Sequence, residues 1–135
     1  MFGRLRDQKG SIMVEMVVSM LILVGFFFSC IEVFSVVKDR IYIQKIAREG
    51  AREASLTGKL EPGQGKAEDC ARQYFNSKNV HISVEKITNN NGDINVACYV
   101  TRPHQPFSFL NQNGMGVINL EAQAIYPWWD ENRNP

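Results

Sequence analysis

The side chains able to act as nucleophiles or soft-metal ligands are few and scattered: Cys30, Cys70, Cys98, His81 and His104. Zinc sites are marked in sequence by ligand pairs a few residues apart, and no two of these five are so placed. No nucleophile motif accompanies either histidine, and no Gly-rich phosphate loop follows a strand-like run. His81 reads as a solvent-facing strand residue and His104 as part of a proline-rich loop. The expectation is a chain with no catalytic residues, no metal and no cofactor: not an enzyme. One side chain is nevertheless out of place. Glu15 stands inside "GSIMVEMVVSMLILVGFFF", where a carboxylate at bilayer centre costs about 3 kcal/mol on insertion scales, so it needs a reason.

The element that positions Glu15 is an apolar helix. Ile12 to Val37 spans roughly 39 Å at about 1.5 Å per residue, enough to cross a hydrocarbon core. From Met16 to Ile31 no residue is charged, and Cys30 is a small apolar residue within the run. Arg4, Arg6 and Lys9 precede it, which keeps a short N-terminus in the cytoplasm and sends the rest across a single pass. Glu32 falls near the outer interface, where a carboxylate is solvated. The balance of 15 Lys+Arg against 14 Asp+Glu gives no basic excess pointing to nucleic acid.

An ordinary secretory signal has an apolar region of about 7–15 residues and a small-x-small cleavage site, and this run is longer and has none. Phe28-Ser29-Cys30 is too bulky for a lipoprotein site, and an uncut signal anchor explains the helix with Glu15 snorkelling to the interface, about 4–5 Å of helix from Ile12. The stretch "RDQKG|SIMVEM" resembles the class III leader of type IV pilins and their relatives: a basic leader ending in glycine, then glutamate at the fifth mature position. The resemblance implies cleavage between Gly10 and Ser11 by a prepilin peptidase. Gly10 offers no side chain to obstruct a narrow subsite, and cleavage would give Ser11 an α-amine with a reference pKa near ~7.8. In a fibre, Glu15 of one subunit would meet such an amine on a neighbour, turning a lone charge into a paired one.

Beyond the span, Ile43, Ile46, Ala47, Gly50, Ala51 and Ala54 recur at three- and four-residue steps, so the helix continues with one apolar stripe. Ala47, Gly50, Ala51 and Ala54 let another backbone come close, and Thr57-Gly58 ends the helix before a loop at "GKLEPGQG". The segment "AREGAREA", from Ala47, resembles the helix end of TadE-like proteins, the pseudopilins or minor pilins of tight-adherence (Flp) pili. The likeness covers residues 1–58 in specific features and the remainder in layout only. Met16 departs from it, standing where that branch more often has an aromatic residue.

The resemblance implies a subunit processed by prepilin peptidase and needed for pilus assembly, surface adherence and biofilm formation. Its implied partners are that peptidase, other pilin and pseudopilin subunits and the inner-membrane assembly platform. Its implied place is the bacterial inner membrane, N-terminus cytoplasmic and C-terminal domain periplasmic, with passage into a surface pilus. A type II secretion-like pseudopilin shares the leader and long helix. An uncleaved membrane-anchored periplasmic binding module shares the anchor and the disulfide, and makes Gly10 and Glu15 coincidental.

In the exported part, "KAEDCARQYFNSK" puts Ala67, Cys70, Ala71, Tyr74 and Phe75 on one face of a short helix. Val80, Ile82 and Val84 alternate as a half-buried strand, and Asn89-Asn90-Asn91-Gly92-Asp93 marks a hairpin turn. Ile94, Val96, Cys98 and Val100, then Ile118, Leu120, Ala122 and Ala124, give two more inward-facing rows. Between them "RPHQPFSFLNQNGMG" reads as a loop. Cys70 and Cys98 are the natural disulfide pair, worth about 3 kcal/mol in the chain-entropy model, against the alternative of two separate buried thiols. Phe107, Phe109, Trp128 and Trp129 are the candidate partner contacts, although a tail tryptophan closing the core is an equal reading.

The resulting organisation is a leader at 1–10, a transmembrane helix at 11–37, its continuation at 38–57 and an exported α+β domain at 58–135. The fold class is α+β and pilin-like: a long N-terminal transmembrane and amphipathic helix on a small antiparallel sheet, with one further short helix.

Overall fold

The computed structural model describes residues 3–76, 79–106 and 116–128, with side chains from Gly10 onward. Phe107, Phe109 and Trp129, and the side chains of Arg4, Arg6 and Lys9, lie outside the described residues. Five elements follow in order: α1 (Gly3–Thr57), α2 (Leu60–Phe75), β1 (His81–Thr88), β2 (Ile94–His104) and β3 (Ile118–Pro127). The chain divides into two compact units, Met1–Ser35 and Val36–Pro135.

The first unit is helix from Gly3, and from Ile12 onward its apolar side chains are exposed on every face, Met13, Leu21, Phe26 and Phe34 among them. A helix apolar all round needs an apolar surround, either a protein core or lipid. This is the one described helix long and apolar enough to cross a membrane.

The second unit is an α+β layout. Its sheet has the order β1-β2-β3, antiparallel throughout, with Val84 opposite Cys98 and Cys98 opposite Ala124. Because side chains alternate along a strand, the even-numbered residues share the inward face. Val84, Val96, Cys98, Val100, Leu120 and Ala122 are buried there, against Ile43, Ile46, Ala47, Ala51 and Ala54 of α1 and Ala67 and Ala71 of α2. Asn89 N–H donates to Asp93 O at 2.8 Å and Gly92 sits at φ +82, closing the expected hairpin. Gly58 at φ +62 ends α1 where a left-handed residue is needed.

Two expectations are corrected. The "GKLEPGQG" loop is mostly helix, since α2 starts at Leu60 rather than near Lys66. Pro62 falls in the first turn, where its missing N–H has no helical partner to lose. Gly63 is buried against α1: an added Cβ would lie 2.5 Å from Ala54 Cβ. Glycine there answers to close packing, not to a loop. The second correction is that β2 runs three residues past Thr101, through Arg102, Pro103 and His104. Thr101 pairs with His81, the first residue of β1, so beyond it β2 is bonded to β3 alone and a proline can be accommodated on the free side.

Candidate functional site

Ser11 and Glu15 are four residues apart on α1, which places them on one face of the helix. Both are exposed, as is Gly10, and a Cβ built on Gly10 meets nothing within 4 Å. Glycine at this position is therefore not demanded by packing within the chain.

The small-residue stripe behaves differently. Ala47, Gly50, Ala51 and Ala54 are all buried. A Cβ on Gly50 would stand 2.8 Å from Ala67 Cβ, 3.0 Å from Cys98 Sγ and 3.2 Å from the Gly63 carbonyl oxygen. The stripe thus serves two surfaces at once, the sheet through Cys98 and α2 through Gly63 and Ala67. The sequence pattern implies close approach to the sheet but not to the second helix, because Gly63 reads there as a loop residue.

The expected disulfide is absent: Cys70 and Cys98 are free thiols. Cys98 lies against Gly50, fully buried, and burial pushes its thiol up to about 11. Cys70 is half-buried at the border of the Gly63–Ala67–Ala71 row that α2 turns inward. Cys30 is free and exposed on the apolar helix.

Trp128, read equally as a partner contact or as closing the core, is a core residue. Its backbone N–H donates to Ile94 O at 3.0 Å, extending the β2–β3 ladder by one bond. Its ring lies 3.7 Å from Lys86 Nζ, a cation–π contact at the edge of the inward face. Ser55 Oγ donates to Pro127 O at 2.5 Å, tying the last turns of α1 to the same strand end.

A polar cluster escaped the sequence reading altogether. Asp39 on α1 is buried, and its Oδ2 lies 2.6 Å from Arg102 Nη1 and 3.0 Å from His104 Nδ1. Arg102 and His104 continue the even-numbered inward row of β2, so the apolar face of the sheet ends in two basic side chains. The Arg102 guanidinium carbon also lies over the Phe75 ring, 3.8 Å from its centroid. Nearby, Tyr42 stacks on Tyr74 at 4.7 Å and meets Phe75 edge-on at 5.8 Å. Lys45 Nζ donates to Tyr74 OH at 2.6 Å, a bond that raises the lysine above its ordinary pKa. The available sequence signal was Asp39, two residues past the apolar run, together with the unbroken alternation through His104. Pro103 obscured it by reading as a strand breaker.

No group of three or more His, Cys, Asp or Glu side chains among the described residues is placed to hold a metal ion. Comparison with protein families, with curated proteins and with solved structures finds no match to this chain.

Proposed function

We propose that this chain is a TadE-like minor pilin or pseudopilin, a substrate of prepilin peptidase and not an enzyme. Cleavage after Gly10 leaves Ser11 as the new N-terminus. The apolar helix then resides in the bacterial inner membrane and packs among other pilin helices when the assembly platform incorporates the subunit. The domain from Val36 onward is periplasmic, and the fibre serves surface adherence and biofilm formation.

The observation that carries the reading is the contrast between two glycines on one helix. Gly50 is held by internal packing, whereas a Cβ on Gly10, between basic residues and an apolar run with Glu15 five places on, would meet nothing within 4 Å among the described residues. A glycine unneeded by the fold but placed at a cleavage motif is accounted for by a peptidase. The exposed apolar surface from Ile12 to Val37 supports membrane residence and later helix-to-helix packing. N-terminal sequencing of protein extracted from a host bearing prepilin peptidase tests it. Ser11 is the expected first residue, and protein beginning at Met1 in that host would overturn the reading.

A further inference from the structure

We propose that a groove at the start of the second unit binds the phosphodiester headgroup of an anionic phospholipid. The groove encloses about 440 Å³ between α1, the end of α2 and β2, and Lys38, Asp39, Tyr42, Arg72, Phe75 and Arg102 line it. That volume lies in the ordinary range for small-molecule sites.

Charge decides what enters. Three cations face the space, Lys38, Arg72 and Arg102, against one carboxylate, Asp39. Asp39 is already engaged by both Arg102 and His104. The C-terminal carbonyls of α2 add about half a negative charge at one rim, which still leaves the groove positive. Arg102 Nη1 is buried 2.6 Å from Asp39 Oδ2, so this pair holds the guanidinium in place and the donors that would meet an acceptor are those of its partly exposed remainder. A guanidinium held over the Phe75 ring and by Asp39 is restrained for the forked recognition of phosphate oxygens.

Position decides which phosphate. Lys38 is the first residue after the apolar run ending at Val37, and Tyr42 follows about one helical turn later. If α1 crosses the bilayer with Glu32 at the outer interface, Lys38 follows about 9 Å of helix later, at the outer edge of the headgroup layer, where basic side chains are usual anchors. The stacked wall of Tyr42, Tyr74 and Phe75 suits the amphipathic neck of a lipid better than a free inorganic anion.

The inference rests on membrane anchorage and not on cleavage or fibre assembly. Its test uses the full chain in nanodiscs of equal phosphatidylglycerol and phosphatidylcholine, released for native mass spectrometry. Phosphatidylglycerol should be retained about tenfold over phosphatidylcholine. The pair Lys38→Gln and Arg72→Gln, both exposed side chains, should bring retention close to parity. The pair Arg48→Gln and Arg52→Gln, equally basic and exposed but outside the groove, should leave it unchanged. Equal retention by the wild-type chain overturns the proposal, as does the same loss from the control pair. Displacement of the lipid by millimolar inorganic phosphate would assign the groove to a free anion. Displacement by an oligoglutamate peptide would assign it to an acidic protein segment. Either result also overturns the lipid assignment. A chain that fails to float with vesicles of either lipid would instead refute the anchorage itself.

Discussion

Asp39 and His104 stand 65 residues apart in the chain, yet their side chains meet at 3.0 Å in a buried setting, with Arg102 on the same carboxylate oxygen. The contact joins the start of the amphipathic half of α1 to the far end of β2. Removing the carboxylate leaves a partly buried guanidinium uncompensated, and breaking such pairs costs about 3–5 kcal/mol when fully buried. Arg102 retains some solvent access, so Asp39→Asn should destabilise the domain by roughly 2–3 kcal/mol, read from the urea midpoint. A midpoint unchanged from wild type would show that the cluster carries no stability.

Glycine replacements along α2 should have opposite signs. A Cβ on Gly63 would sit 2.5 Å from Ala54 Cβ and 2.7 Å from the Gly50 carbonyl oxygen, so Gly63→Ala should destabilise by about 1–3 kcal/mol through overpacking. Gly65, two residues on and exposed, has nothing within 4 Å of its Cβ site, so Gly65→Ala should stabilise by about 0.5–1 kcal/mol. Thermal melts of the two variants, compared with wild type, check both.

Thiol labelling should separate the cysteines. In a Cys30→Ser background at pH 8, iodoacetamide should modify half-buried Cys70 readily and leave Cys98 untouched until the domain unfolds. Peptide mass mapping reads the outcome. The pH dependence follows in sign. The folded thiol keeps its proton to about 11, above the unfolded value of 9.0, so the folded state binds the extra proton between them. Its contribution to stability is complete below pH 9.0 and is lost as pH rises towards 11.

Lys86 and Trp128 close the side of the core next to the first hairpin. Trp128→Ala should cost about 3 kcal/mol or more, because it removes a buried ring and leaves a cavity. Lys86→Met should cost only about 0.5–1 kcal/mol, the scale of an exposed cation–π contact. Chemical denaturation of both variants checks the ratio, and equal losses would contradict the core assignment of Trp128.

Processing and assembly should separate genetically. Gly10→Val should block maturation, leaving precursor mass in the membrane fraction, whereas Glu15→Ala should mature normally yet enter fibres poorly. A Glu15→Ala protein recovered in sheared fibres at wild-type level would remove the carboxylate from the assembly step.

Much of the layout was legible because it depends on periodicity. The even-numbered rows of β1, β2 and β3 and the Ile43–Ala54 stripe are patterns of burial, and burial follows from residue type at fixed spacing. What stayed hidden depends on partners distant in sequence. Gly63 and Pro62 look like loop residues until Gly50 and Ala54 are placed against them, and then the same glycine becomes a packing requirement. Arg102 and His104 flank a proline, and their alternation has meaning only once Asp39 faces them. The two cysteines share the core region, but Cys98 is turned to Gly50 while Cys70 sits at the margin of α2, a difference in direction that spacing cannot reveal.

The amphipathic half of α1 is fastened near each end, by Asp39 to the tip of β2 and by Ser55 to the tip of β3. Those anchor points are about 24 Å apart along the helix axis, with the alanine and isoleucine stripe between them. Tension applied along α1 would therefore act in shear, straining both fasteners and the intervening apolar contact together rather than peeling them in sequence. A subunit pulled by its helix is, by this construction, hard to strip of its globular portion.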